Sequence, residues 1–385
     1  MQRPEARLMD SMLGALRTQA LRTALELGVA ELLAERPRSA AQLADACGCD
    51  RTAMRRLLSV LSADGVLAES PEGPDGTYAL TDVGRCLRPS AQGGLGEYAE
   101  FICSVAAPAA GHLTQAIREG RGGAAFESAA GRPFFEYLAR NPAAAEQFDT
   151  AMHVSLSGLR DGVLSLDWRG VRTVADVGGG KGGLLAELLR ARPELTGTLC
   201  ELPQVLDAAR PLLAEAGVAD RCTLAPCDFF TEVTPGLDVY LLIRILHDWD
   251  DASAARVLGS LRAAMRPDSR LYVADLLLPD GADEEGASWR RSYDLWMNLL
   301  IPGHERTAGE WRDLLAGCGF RIVRTTEAGW RASLLECVPE PVPARAADTG
   351  PDSGRDPASD SDPHSDPDPP EEPQPAAAYG PGPGR

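Results

Sequence analysis

Apolar residues recur at helical spacing through positions 8–36: Met9, Met12, Leu13 and Leu16, then Ala20, Leu21, Ala24, Leu25 and Leu27, then Val29, Leu32 and Leu33. Residues three and four apart share one helix face, so this stretch predicts two strongly apolar helices. The next two helices are marked by their caps. Ser39 precedes Ala40–Ala46 and Asp50 precedes Arg51–Leu61, and a short oxygen-bearing side chain satisfies the free amides of a first turn. Gly65–Glu69 and Thr77–Leu80 then flank a Pro/Gly loop, the pattern of a β-hairpin. Helix, turn, helix and wing describe a winged-helix-like module over residues 1–90, with its apolar first helices suited to dimerisation. Residues 91–165 read as a helical, Ala/Gly-rich segment carrying Tyr98, Phe101, Phe126, Phe134, Phe135, Tyr137 and Phe148. Each ring suits core packing or the wall of a substrate cavity.

The period changes after Gly170. Short apolar runs alternate with helical patterns up to Cys337, which predicts an α/β domain over residues 166–340: a parallel sheet with helices on both faces. Strands are expected at Val171–Val177, Thr196–Glu201, Cys222–Cys227, Val239–Leu246, Arg270–Leu276 and Arg321–Thr326, with a helix over Gly182–Arg190. Residues 341–385 are rich in Pro, Asp, Ser and Gly and have no apolar periodicity. Such a stretch cannot offset its ordering entropy and reads as a disordered tail.

Composition narrows the class. The chain of 385 residues is 44% hydrophobic and 24% charged, the profile of a globular protein large enough for two domains. It contains no apolar run of about 18 residues, and its first residues do not form a signal-peptide core. Nine cysteines, an odd number spread through the chain, read as reduced thiols. Together these features predict a cytoplasmic protein with no membrane association. The net charge of −18 argues against a broad grip on nucleic acid, which needs exposed cations facing phosphates. The tail accounts for part of that charge, with nine acids against three arginines. The helix-turn-helix pattern keeps a DNA-binding regulator as a rival, but Arg51, Arg55 and Arg56 stand among Asp45, Asp50 and Asp64.

Candidate chemistry gathers at the expected strand ends. Asp176-Val177-Gly178-Gly179-Gly180-Lys181-Gly182-Gly183 runs from a strand through glycines into a helix. Gly178 and Gly180 let the backbone approach a ligand, and the helix offers its N-terminus. Dinucleotide folds use a related turn, but the acid at position 176 suits a cationic amino group and would repel a pyrophosphate. Glu201, at the next strand end, is placed for ribose hydroxyls. Asp228 and Phe229, at the third, suit the edge and face of adenine. Three acids at successive strand ends point to an adenosyl ligand. His247 follows the fourth expected strand, and an imidazole can take a phenolic proton near neutral pH. Asp275, ending the next strand, and Glu305, in the loop Pro302–Thr307, are each placed to orient it. His112 and His153 lie in helical stretches, where packing explains them as well as a pocket would. No Asp/His/Cys metal motif is visible, and Cys47-Gly48-Cys49 is too tight for a zinc knuckle.

Three pieces together, Asp176–Gly180, Leu246-His247-Asp248-Trp249-Asp250-Asp251 and Glu305-Arg306-Thr307 with Glu310-Trp311, resemble the plant caffeic-acid-type O-methyltransferases. The same pieces are similar to their actinobacterial anthracycline- and mitomycin-type relatives, over residues 9–338. The resemblance implies a Rossmann-like, S-adenosylmethionine-dependent methyltransferase fold behind a mostly helical winged-helix dimerisation domain. It implies a homodimer acting without metal on a small aromatic hydroxyl compound. It also implies His247 as base, Asp275 and Glu305 as its carboxylate partners, and Gly178, Glu201, Asp228 and Phe229 at the cofactor, with Trp249 packed on the adenosine. At 275 the plant enzymes usually carry Glu, so Asp275 has a shorter reach. At Ile243 they carry a cofactor-holding Lys, which leaves open whether Arg244 substitutes for it. Some members of the family have turned to hydroxylation, decarboxylation or pericyclic chemistry, a reading that loss of the base would favour.

Overall fold

In the computed structural model, residues 3–70, 76–89, 94–281, 287–329 and 332–340 are described. The tail expected at 341–385 lies outside the described residues.

The first apolar stretch forms three helices instead of two, Pro4–Met12, Gly14–Glu26 and Val29–Glu35. The break between the last two is at Gly28, which takes a left-handed φ of 64° that stops a right-handed helix. Both predicted caps form. Ser39 and Gln42 make a reciprocal capping box on Ala40–Cys47, and Asp50 accepts from the Ala53 amide at the head of Arg51–Ala63. Strands β1 (Leu67–Ser70) and β2 (Thr77–Leu80) pair as the antiparallel wing. Arg51 is held by both oxygens of Asp45 at 2.9–3.1 Å, so this arginine is already neutralised on the surface.

The second domain is built on β3 (Thr173–Val177), β4 (Thr196–Glu201), β5 (Cys222–Pro226), β6 (Val239–Ile243), β7 (Arg270–Asp275), the short pair β8 (Leu277–Leu278) and β9 (Arg306–Thr307), then β10 (Phe320–Glu327) and β11 (Ser333–Pro339). Seven of these form one sheet in the order β10-β11-β7-β6-β3-β4-β5. The expected all-parallel sheet is corrected here. Strand β11 runs antiparallel between β10 and β7, because a tight return from β10 needs no crossover helix.

Alternation along the strands divides the core. Val174, Leu199, Val239 and Leu241 pack on one face of the sheet, while Ala175, Cys200, Tyr240 and Leu242 pack on the other. All five residues of β6 are buried, as expected of a parallel strand covered on both sides. From β3 the chain winds outward through β4 to β5, then crosses back to β6 on the other side. The crevice at that reversal, beyond the carboxyl ends of the strands, is where open α/β sheets bind ligands. A third cluster gathers Phe101, Phe126, Phe134 and Leu138 with Met297, Leu299 and Leu300. Its rings meet edge-to-face with centroids 5.1–6.3 Å apart, so Phe101, Phe126 and Phe134 are core residues. Among the described residues, no helix is long and apolar enough to cross a membrane. All nine cysteines are free thiols.

Candidate active site

Strands β3, β4 and β5 deliver Asp176, Glu201 and Asp228 to the same sheet edge. The turn after β3 depends on its glycines. Gly178 and Gly180 take left-handed φ values of 72° and 57°, and a Cβ at Gly178 would lie 2.7 Å from Ile245 and 3.5 Å from Phe229. At Gly179 a Cβ would meet the Asp176 carboxylate at 2.3 Å, so this carboxylate lies directly beneath the turn. Glu201 ties the turn to β4, since Oε1 accepts from the Gly180 amide at 3.2 Å and Oε2 from Leu202 at 2.7 Å. Asp176 is 1% exposed, and its Oδ2 has no hydrogen-bond partner among the described residues. Burial first, then the neighbouring Cys200 and Glu201, pushes its carboxyl up to about 7. Burial also raises Glu201, against the pull of its two amide donors. Asp228 is exposed, and its Oδ1 accepts from the Phe230 amide. Trp249 meets the ring of Phe230 edge-on at 4.7 Å and that of Phe229 at 6.4 Å. A buried orphan carboxylate under a turn that excludes side chains fits a ligand carrying a cationic amine.

The second half of the site lies at the end of β6, where the expected strand is cut short. Val239–Leu246 is not a single strand. Strand β6 ends at Ile243 and Arg244 turns left-handed at φ 60°, after which Leu246–Asp248 form one 3-10 turn. Leu246 packs into the helix-side cluster rather than extending the sheet, and His247 is set on that turn, 5% exposed. Its Nδ1–H donates to Glu305 Oε1 at 2.9 Å, since an ionised carboxylate can only accept. In the neutral imidazole Nε2 then carries the lone pair, and it lies 3.3 Å from Asp248 Oδ1. Glu305 is held by its own amide, which donates to Asp294 Oδ1 at 2.8 Å.

Asp275 joins this group without touching it as expected. Ligand atoms of His247, Asp275 and Glu305 lie within 4.8 Å of one another. Both Asp275 oxygens nevertheless lack a hydrogen-bond partner among the described residues. Burial, opposed by His247 and Arg244 and aided by Glu305 and Asp248, pushes its carboxyl up to about 7. The trio's spacing is one a metal ion can use, although sequence spacing gave no sign of it. Against that use, the Arg244 guanidinium stands 3.4 Å from Glu305 Oε1 and already supplies the positive charge. The arrangement is a buried cluster of an imidazole, two carboxylates and a guanidinium. For His247, burial and Arg244 pull the pKa down, but Glu305, Asp248 and Asp275 outweigh them and hold it at about 9.

Two supports were given no role by the sequence. Arg306, fully buried, donates to the carbonyls of Leu246 at 3.0 Å and Trp249 at 2.9 Å and to Asp251 at 2.9 Å, stacked over Trp311. Gly303 lies against the same turn, where a Cβ would fall 2.0 Å from the His247 carbonyl. Arg244 reaches Glu305 and the Tyr293 hydroxyl instead of the cofactor acids. His153 approaches the head of the helix after the glycine turn, with Nδ1 3.4 Å from a Cβ built at Gly183, while His112 precedes Leu113–Glu119.

The sequence profile of the O-methyltransferase domain matches residues 111–321, more than half of the chain, and that of the O-methyltransferase dimerisation domain matches residues 9–90. The chain belongs to the O-methyltransferase family. Among its relatives, the mitomycin biosynthesis 6-O-methyltransferase of Streptomyces lavendulae is 39% identical over 83% of this chain and 90% of its own. The aclacinomycin 10-hydroxylase RdmB of Streptomyces purpurascens is 35% identical over 80% and 83%. The solved structure of NcsB1, an O-methyltransferase from neocarzinostatin biosynthesis in complex with S-adenosylmethionine and 2-hydroxy-5-methyl naphthoic acid, is 29% identical. It covers 84% of this chain and 95% of its own, with a TM-score of 0.69. This O-methyltransferase therefore takes S-adenosylmethionine as methyl donor, on a Rossmann-like fold behind a helical dimerisation domain.

Proposed function

We propose that this O-methyltransferase methylates a phenolic hydroxyl of a small aromatic metabolite, with His247 as general base. The observation that carries the reading is the 2.9 Å contact from His247 Nδ1 to Glu305, which leaves Nε2 as the basic nitrogen. Glu305 orients the imidazole and stabilises the imidazolium formed on proton uptake. Asp275 is a neighbouring charge rather than a direct contact. On the cofactor side, Asp176 would receive the donor's amino group, Glu201 its ribose, and Asp228, Phe229 and Trp249 its adenine, with Gly178 and Gly180 admitting it closely. Bound S-adenosylmethionine supplies an electrophilic methyl group, so the protein's task is to deprotonate and align the acceptor oxygen. We further read residues 1–90 as the dimerisation unit of a cytoplasmic homodimer, 91–165 as the acceptor-side helices, and 166–340 as the catalytic domain.

Incubation of the purified protein with labelled S-adenosylmethionine and a panel of phenolic polyketides, flavonoids and phenazines identifies the acceptor. His247→Ala should then lose about 100-fold or more in turnover and keep S-adenosylhomocysteine affinity by calorimetry. Undiminished turnover would remove His247 from the mechanism.

A further inference from the structure

Arg244 joins the cluster, and the base reading does not use its placement. Among the described residues it is the only non-glycine with a positive φ, 60°, a conformation unfavourable for a side chain of this size. The backbone is fixed there by its own amide, which donates to the Ala274 carbonyl at 2.9 Å, one step beyond the β6–β7 ladder. Strain held in place at a sheet edge marks a side chain whose direction matters. The guanidinium projects between Glu305 Oε1 at 3.4 Å and the Tyr293 hydroxyl at 3.0 Å, 5.9 Å from the centre of the Tyr293 ring. Its side chain remains 16% exposed. Tyr293 lies 5.4 Å from Trp296, and its hydroxyl is 3.5 Å from that of Tyr98. Arg244 thus joins the charged cluster to a half-buried aromatic wall.

Charge makes the placement consequential. Asp248, Asp275 and Glu305 all face His247, and an acceptor oxygen losing its proton beside three carboxylates would be repelled. Arg244 faces Glu305, Asp275, Tyr293 and Tyr98. Its contacts commit two of five N–H donors, so it can receive an oxygen without releasing either neighbour. We propose that Arg244 is the cation that binds the acceptor's oxygen in its ionised form, making it a second catalytic residue and a selector for acidic phenols. The inference rests on the reading of His247 as the base for a phenol.

p-Nitrophenol and nitrobenzene are the probes, titrated into the enzyme saturated with S-adenosylhomocysteine at a pH where the phenol is ionised. The wild-type protein should bind the phenolate at least tenfold more tightly than nitrobenzene. Arg244→Met should abolish that preference while leaving nitrobenzene binding unchanged, and Arg244→Lys should restore part of it. Arg244→Gly, which removes the charge and relieves the positive φ together, should behave as the Met variant even if Met perturbs folding. A preference retained in the Met and Gly variants overturns the proposal alone, as does equal loss of both probes, the mark of a packing role. Absence of any preference in the wild-type protein would defeat the phenol reading together with this one.

Discussion

Asp176 sits beneath the glycine turn with Oδ2 lacking a donor among the described residues, and a buried carboxyl in that state resists ionisation. Its pKa of about 7 stands well above the usual ~3.9. Because the folded chain then binds the proton more tightly than the unfolded one, stability falls as pH rises from about 4 to about 7 and stays reduced above that. Asp176→Asn should therefore stabilise the ligand-free protein by about 2 kcal/mol at pH 8 and flatten that pH dependence, while weakening S-adenosylmethionine binding. Urea unfolding at pH 5 and pH 8 checks the first part and calorimetry the second. Loss of stability at pH 8 would show that the carboxylate has a stabilising role of its own. His247 works in the opposite sense. Raised to about 9, it contributes stability that is full below about 6.5 and lost as pH rises through the folded value. Only the neutral imidazole accepts a proton, so kcat/KM should climb with pH toward about 9. Glu305→Gln should lower that inflexion and cut the plateau by tenfold or more, about 1.4 kcal/mol of barrier. An unmoved inflexion would mean that Glu305 does not set the base.

The 3-10 turn Leu246–Asp248 is the element that aims His247, and its geometry comes from outside it. Arg306 grips the carbonyls on either side of His247, and Gly303 lets the loop before Glu305 lie flat on the turn. A Cβ at Gly303 would meet only backbone, at 2.0–2.5 Å from the His247 carbonyl, Asp248 and Trp249. No flexible side chain can yield there. Gly303→Ala should therefore displace the base, lowering kcat by tenfold or more with stability reduced by about 1–3 kcal/mol. S-adenosylhomocysteine affinity should stay near wild type, because the glycine turn after β3 is untouched. Wild-type kcat in a folded variant would remove Gly303 from the support. These elements differ in how far the sequence exposes them. The acids at the ends of β3, β4 and β5 stand out because a charge closing an apolar run has few structural reasons to be there. The end of β6 does not, since Ile245 and Leu246 continue the apolar run while packing between sheet and helices, so nothing marks the left-handed step at Arg244. Strand β11 was hidden differently. Its residues alternate no more clearly than a loop's, and only its pairing with β7 and β10 defines it. The contact from Arg306 to the base turn crosses 57–60 positions and has no local signature.

At the scale of the molecule, two features of the sequence carried the architecture: a 3.6-residue period over residues 8–36 with the caps that follow it, and alternating strands and helices after position 170. Both ask only which face is buried. The assignment of rings in residues 91–165 to core or cavity was undecidable from pattern, because a ring is apolar in either role. Packing settles Phe101, Phe126 and Phe134 as core and leaves Tyr98 and Tyr293 at the edge of the base cluster. The same patterning marks a surface that one chain leaves uncovered. Leu8, Met9 and Met12 on Pro4–Met12, Leu13 just after it and Leu16 on Gly14–Glu26 are 43–67% exposed. Contiguous exposed apolar residues of this kind signal an interface, and the segment lies largely inside the dimerisation-domain match, residues 9–90. A twofold dimer would bury the same patch on both copies, so each substitution there acts twice. Met12→Glu combined with Leu16→Glu should convert a dimer into a monomer by light scattering. Far-ultraviolet circular dichroism should be kept, since neither side chain belongs to the buried cluster of Ala20, Leu43, Leu58 and Leu61. A variant that stays dimeric would move the interface to another face. One that loses its helical signal would instead make the patch part of the monomer's own fold.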